Sequence, residues 1–391
     1  MSGFLPRPVR ERPAPGPQFA FYPSPSDLRL PTPTSDLRPP LLVAKVGLWQ
    51  CPSPDKLCFA AGGALPPPFA FQHFSISAFQ LFPHMPSEQQ SKHWLGKLTR
   101  LNPATGRGAC RGKAPHKPLL LLCLLDMVES QEFPARAFTR SPGLVLRFRS
   151  YGALVADRWA ARLDLKLPFF HLKTQGFWEA FDSAMRPSGS PDTCAVCEMH
   201  PELFELLADA GFRLKARLVL ITKYFDSAER TALFESLGIQ GGDAGPPSTS
   251  RVMQEADEAA KRKGRSARFA VRVCSEYRYT CALTGYRCIT GDGATIVDAA
   301  HIEGWAEHQN DDPGNGLALS KNAHWMFDNG LWSADTDLRV IVNTRAFTEH
   351  GPEAFRLGSF AGRHLQFDPA AKLRPSSECL RRHRRQSGFH V

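Results

Sequence analysis

Over residues 85–240 the apolar positions follow a helical period. Trp94, Leu95, Leu98 and Leu101 recur at helical spacing and predict an amphipathic helix. Leu119–Leu125 is apolar without a break, which predicts a helix buried on all sides. Pro118 sits in its first turn, where the absent N–H would have had no helical partner anyway. A mixed stretch follows and runs into Leu167–Trp178. Pro201–Asp209, Leu214–Tyr224 and Ser227–Leu237 predict three further amphipathic helices. Beyond residue 265 the rhythm shortens. Tyr279–Gly285 is turn-rich, Ala294–Ala300 reads as a short strand, and Asn315–Leu319 as a loop running into a strand. Ala323–Asn329 has helical character and Leu338–Val342 is β-rich. The fold class expected is α+β, with a mainly helical first domain and a mixed second one. No internal repeat is present.

Proline and glycine punctuate this pattern into segments. Residues 1–84 carry 17 of the 33 prolines, and no helical or strand period survives that density. The expectation is a disordered segment, with the alternative that 1–84 is not native coding sequence. Met85 would then be a sensible start for a compact protein of 307 residues. Residues 85–240 form the first domain. Residues 241–264 read as a linker: a Gly/Pro/Ser run, then the charged stretch Glu255–Arg265, expected as a solvated helix. Residues 265–391 form the second domain.

Composition narrows the function classes. The chain has 391 residues, 42% of them hydrophobic and 22% charged, enough apolar material for two cores. No run of 18 apolar residues occurs, which excludes a membrane-spanning helix. Charged residues and prolines between Pro6 and Arg12 argue against a secretory signal at the start. The ten cysteines are scattered rather than framed, so free thiols in a reducing cytoplasm are expected. The net charge of +10 and pI near 9.2 suggest an acidic partner, nucleic acid first.

The chemistry concentrates in Asp298-Ala-Ala-His301-Ile, Asn315-Gly-Leu-Ala-Leu and His324-Trp-Met-Phe-Asp328. His301 closes a predicted strand, Asn315 lies in the following loop, and His324 falls on a helix nine residues after Asn315. Asp328, four residues on, shares its helix face with His324. A neutral imidazole at His301 can take a proton from water. A divalent cation on the helix can hold the scissile phosphate, and a loop asparagine can tie strand to helix through its amide. This arrangement suits metal-assisted phosphodiester hydrolysis.

Together with Cys281-Ala-Leu-Thr-Gly and Phe327-Asp-Asn-Gly, these elements resemble the HNH nuclease signature, the ββα-metal or His-Me finger, in the version common in bacterial restriction endonucleases. The resemblance covers about 265–391. It implies His301 as general base, Asn315 as the loop-orienting residue, and His324 as ligand of a divalent metal ion, Mg or Mn first, with Zn or Ni as alternatives. Many such enzymes place a ligand immediately before the first histidine, where this chain has Ala300. Asp298 is the nearest carboxylate, although strand alternation points it away from His301. Either a local irregularity brings Asp298 in, or Asp328 or His301 itself completes the metal site.

Ala114-Pro-His-Lys-Pro-Leu-Leu-Leu-Leu and Leu167-Pro-Phe-Phe-His-Leu-Lys-Thr-Gln-Gly-Phe-Trp-Glu179 resemble the sulfur-binding domain of type IV restriction enzymes, which cut DNA with phosphorothioate linkages. Sulfur is larger, softer and more weakly hydrated than oxygen. An apolar dent can accept it while an ordinary phosphate oxygen would lose its water uncompensated. Leu167, Pro168 and Phe169 are the expected floor, and Arg111, His116, Lys117, His171 and Lys173 the cationic rim. The implied partner is double-stranded DNA carrying phosphorothioates. The oligomeric state stays open, with a homodimer among the options.

Weaker features have plain readings. Cys194-Ala-Val-Cys197 with His200 can bind zinc but lacks a second pair, so free cysteines near a helix start are expected. Cys274, Cys281 and Cys288 read as core, His308 as surface, and Arg381–Arg385 as a solvated tail or a phosphate contact. The competing functions are an HNH restriction endonuclease reading methylated or unmodified DNA, a DNA-binding protein with an inactive HNH fold, and a nuclease toxin. The intact His301, Asn315 and His324 argue against the inactive fold.

Overall fold

The computed structural model describes residues 87–391 apart from Pro134, Arg162, 241–250, Ala370 and 390–391. The readings of 1–84, of Met85 and of the first half of the linker lie outside the described residues. Ser87 caps helix α1 (Glu88–Thr99). Its hydroxyl accepts from the Gln90 amide at 3.2 Å, and the Gln90 side chain accepts from the Ser87 amide at 2.8 Å. Two otherwise unpaired amides are thereby satisfied. Helix α2 (His116–Glu129) is the buried leucine helix, with Leu119, Leu120 and Leu122 fully enclosed.

Strand β1 (Ala137–Thr139), helix α3 (Pro142–Ala153) and helix α4 (Lys166–His171) follow, the last continuing into a 3-10 turn at Leu172–Gln175. Strands β2 (Trp178–Phe181) and β3 (Val196–Met199) complete an antiparallel sheet in the order β1-β3-β2, with Cys197 opposite both Phe138 and Ala180. These strands are three or four residues long, too short for alternation to reveal them.

Helices α5 (Pro201–Leu206), α6 (Ala210–Tyr224) and α7 (Ser227–Ser236) close the first core. The helix expected through Asp209 ends earlier because Asp209 starts α6: its carboxylate accepts from the Gly211 and Phe212 amides at 2.9 and 3.2 Å. Helix α8 (Arg251–Glu276) then spans the expected boundary at 264/265 without a break. Its Ala260, Ala267 and Val271 enter the first core, and its Phe269, Val273 and Cys274 the second. Gly264 permits the close approach to α7, since a Cβ there would meet the Ala232 carbonyl oxygen at 2.3 Å.

The second core is built on strand β4 (Val297–His301), strand β5 (Gly316–Ser320) and helix α10 (Lys321–Asp328), with the short helix α9 (Trp305–His308) in the connection between the strands. β4 and β5 pair antiparallel with His301 opposite Gly316, and α10 follows β5 directly. This is a ββα unit, and the described residues as a whole are α+β. Strands β6 (Trp332–Ala334) and β7 (Val340–Val342) form a second antiparallel pair, against which helix α11 (Ser377–Gln386) packs. No helix among the described residues is long and apolar enough to cross a membrane.

Two expectations are corrected in this region. Cys288 is exposed, whereas Cys274 and Cys281 are buried. The arginine-rich end is a packed helix rather than a tail. His383 and Arg384 are buried, the Arg384 guanidinium donates to the Ala334 carbonyl, and Arg381 and Arg382 pair with Glu378. The His383 ring stacks on Phe327 at 3.9 Å and lies within 3.0 Å of Ser333 Oγ.

Burial lowers the His383 pKa to about 4, the Phe327 carbonyl opposing. An unfolded histidine titrates near 6.5, so between those values the unfolded chain binds a proton that the folded chain refuses. Stability therefore falls as the pH drops from about 6.5 toward about 4, by up to about 3 kcal/mol from this residue. Urea unfolding at both ends of the window, in wild type and His383→Gln, should show a flatter pH dependence in the variant. Equal slopes would remove His383 as the cause.

Candidate active site

The β4–β5 register puts His301 at the open end of the hairpin. Ile302 N–H continues the ladder to the Asn315 carbonyl at 2.9 Å. Asn315 is 1% exposed and its amide is fully used. Oδ1 accepts from Glu303 N–H at 2.9 Å, and Nδ2 donates to the Asn310 carbonyl at 2.9 Å and the Glu303 carbonyl at 3.3 Å. One buried side chain thus pins both ends of the loop between the two strands.

His301 is held on two sides. The Phe269 ring of α8 stacks flat against it, with centroids 3.9 Å apart and planes within 5°. Its Nε2 lies 3.1 Å from Asp311 Oδ1. The other Asp311 oxygen accepts from Trp305 Nε1 at 3.2 Å, with Arg265 Nε of α8 at 3.8 Å. Gly316 makes the stacking possible, because a Cβ there would meet Val273 Cγ2 at 2.4 Å and Phe269 Cζ at 2.9 Å. Nδ1 of His301 has no protein partner among the described residues.

His324 and Asp328 share one face of α10, with His324 Nε2 3.4 Å from Asp328 Oδ2. Burial pushes the Asp328 carboxyl up, while His324 and then His301 pull it down, so all three groups share one electrostatic neighbourhood. No cluster of three His, Cys, Asp or Glu side chains capable of holding a metal occurs among the described residues. One imidazole and one carboxylate still fit a hard divalent cation, which keeps several waters and takes substrate phosphate oxygens as its remaining ligands. Asp298, the other candidate ligand, pairs with the Lys321 ammonium. His308 is exposed, as expected.

Asp311, Phe269, Trp305 and Arg265 are not legible in the sequence as site residues. Asp311 lies in an irregular loop with no period. Phe269 and Arg265 come from a helix whose charge reads as solvated surface.

The residues expected to read DNA are spread over the first core. Arg111 is exposed and donates to the Asp157 carbonyl at 3.3 Å. His116 sits edge-on to Trp159, and burial lowers its pKa against the pull of Asp164. Lys117 donates to the Asn102 carbonyl at 2.7 Å and to Gln175 Oε1 at 3.0 Å, which ties the start of α2 to the turn after α4. Lys173 donates to the Ser188 carbonyl at 2.7 Å and lies 3.9 Å over the Phe170 ring.

The expected floor is corrected. Phe169 is fully buried and Pro168 is buried, because the inward face of α4 packs on the sheet. The Phe169 carbonyl accepts from Trp178 Nε1 at 2.9 Å and from Cys197 Sγ at 3.3 Å. Leu167 and His171 remain on the outer face, one turn apart, with Leu167 43% exposed. Cys194 and Cys197 are free, buried at the middle strand of the sheet rather than at a helix start.

A ββα unit with two histidines and a buried asparagine in this order is the arrangement that the resemblance to HNH nucleases implies. Comparison with known families agrees. Residues 281–335 match the HNH endonuclease family, and residues 91–242 match the ScoMcrA-like DNA sulfur-binding domain. Residues 281–335 are thus similar to an HNH endonuclease domain, and the preceding residues 91–242 to a DNA sulfur-binding domain. HNH nucleases generally use a divalent metal ion. Among solved structures, a modification-dependent TagI restriction endonuclease is similar at 24% identity, covering 32% of this chain and 38% of that one, with a TM-score of 0.25. The chain thus spans well under half the length of that protein. No curated protein matches the chain.

Proposed function

We propose that this protein is a modification-dependent DNA endonuclease that recognises phosphorothioate-modified double-stranded DNA and hydrolyses phosphodiester bonds. The observation that carries the nuclease reading is His301. It stands at the end of β4 in the electrostatic neighbourhood of His324 and Asp328, with one ring nitrogen engaged and the other open. His301 takes a proton from the attacking water as general base. Asn315 keeps the loop beside it in place. His324 and Asp328 would hold the divalent cation, Mg or Mn, which supplies positive charge to the phosphate in the transition state.

The sulfur-binding match supports the modification reading. Arg111, Lys117, His116, His171 and Lys173 supply cationic and hydrogen-bonding groups for the backbone, and Leu167 offers exposed apolar surface beside His171. A weakly hydrated sulfur loses less than an oxygen on contact with such a surface. The working compartment on this reading is a reducing cytoplasm, in keeping with eight described cysteines that are all thiols.

The test uses matched plasmids, one from a phosphorothioating host and one from a host without the modification. Cleavage is expected for the modified plasmid with Mg²⁺ or Mn²⁺, and none after chelation by EDTA. Equal cutting of both plasmids would overturn the sulfur reading and leave an HNH nuclease with another target. Cutting that survives chelation would overturn the metal assignment.

A further inference from the structure

Resting on the reading of His301 as base, we propose that Asp311 is its positioning residue, and that the linking helix α8 holds Asp311 in place. A neutral imidazole carries one proton, and the partner of one nitrogen decides where that proton sits. Asp311 Oδ1 lies 3.1 Å from Nε2, and an ionised carboxylate can only accept. The proton therefore sits on Nε2, and the lone pair sits on Nδ1, the nitrogen without a protein partner among the described residues. In the other tautomer two lone pairs would face each other, and Nδ1 would carry a proton and could not act as base.

Asp311 is itself held in a way that suits this task. Its side chain is 10% exposed, with Trp305 Nε1 at 3.2 Å and Arg265 Nε at 3.8 Å on its second oxygen. A donor and a cation on that oxygen fix the rotation of the carboxylate. Asn315 pins the Asn310 carbonyl next door, so the loop brings Asp311 to the same place each time. Phe269, one helical turn after Arg265, clamps the imidazole face at 3.9 Å. Both contacts from α8 fall on one stripe of that helix. The same helix packs against α7 through Gly264 in the first core. The geometry of the base is thus set by a helix shared with the DNA-reading domain. Asp311 touches neither water nor phosphate in this scheme and acts through His301 alone.

The first measurement reads the tautomer directly on the unaltered full-length protein, from the nitrogen chemical shifts of histidine-labelled material near pH 8, with His301→Gln to assign the signal. The Nε2–H form is expected. An Nδ1–H form would overturn the proposal, whatever any variant does. The second measurement is single-turnover cleavage by Asp311→Asn and Asp311→Ala against DNA binding. Both variants should lose about 10²-fold in cleavage rate, within the range a general base supplies, with the DNA dissociation constant unchanged. The Asn variant should also give a mixture of the two tautomers, since an amide can either accept or donate. A folded Asp311→Asn enzyme with the wild-type rate and a pure Nε2–H spectrum would likewise overturn it. Wild-type protein that cuts no DNA with any divalent metal would sink the nuclease reading instead, while the tautomer measurement still decides the role of Asp311.

Discussion

His301→Ala should abolish detectable DNA cleavage while leaving DNA binding within about twofold of wild type. General-base catalysis contributes about 10² to 10⁴ in rate, so removal of the base should take cleavage below the background of the assay. The substitution should be structurally mild. The His301 side chain is 20% exposed at the end of a strand, and its backbone pairing opposite Gly316 does not need the ring. The variant gives up the Phe269 stacking and one bond to Asp311, whose carboxylate keeps the Trp305 donor. His301→Ala should therefore melt within a few degrees of wild type, and its affinity for DNA should persist because the cationic residues of the first core are untouched. Plasmid nicking and gel-shift assays on the same preparation separate the two. Cleavage at the wild-type rate would remove His301 from the mechanism, and a parallel loss of binding would make it a DNA contact instead.

The parts legible in the sequence share a physical origin: they follow from short-range periodicity or from chemistry attached to it. The buried helix at Leu119–Leu125 needs only its unbroken apolar run, and β5 and α10 need only Gly316–Ser320 and the His324/Asp328 spacing. Helix ends depart from the pattern where a side chain cuts it, as Asp209 does by capping α6. The three-stranded sheet is invisible to periodicity because its strands are held by pairing across 15 or more residues, and each is shorter than one clear alternation. Asp298 is a candidate because it is near His301 in sequence. Lys321, the first residue of α10, lies close in space and takes its carboxylate. Asp311 escapes notice for the converse reason. Its position depends on where Asn315 anchors a loop, and no residue pattern encodes that. The chemistry of Pro168 and Phe169 suits a surface dent, whereas the helical period of α4 buries both and turns Phe169 into the core.

Arg147→Met should be among the most destabilising single substitutions in the protein, by about 3 to 5 kcal/mol. Arg147 lies on α3 and is 1% exposed. Its Nε donates to Asp126 Oδ2 at 2.6 Å, Nη2 to Glu132 Oε1 at 2.5 Å and Nη1 to Glu132 Oε2 at 3.0 Å. Burial alone would lower its pKa, but the Glu132 hydrogen bonds and the charges of Asp126 and Glu132 carry it above the ordinary arginine value. The Tyr151 hydroxyl donates to Asp126 at 2.9 Å, and Tyr279, from the second core, reaches Glu132 at 3.4 Å. The guanidinium is thus the cation shared by two half-enclosed carboxylates, and the second of these bridges the first core and the second. A methionine fills much of the volume and leaves both carboxylates uncompensated, which is the costly half of breaking a buried ion pair. Neutralising them should therefore repair most of the damage. The triple variant Arg147→Met, Asp126→Asn, Glu132→Gln is expected to recover at least half of the lost stability in urea unfolding. Its cleavage rate should still fall below wild type if the Glu132–Tyr279 contact helps hold the two domains in register. A loss of less than about 1 kcal/mol in Arg147→Met would show that water solvates the two carboxylates and that the network is a surface feature.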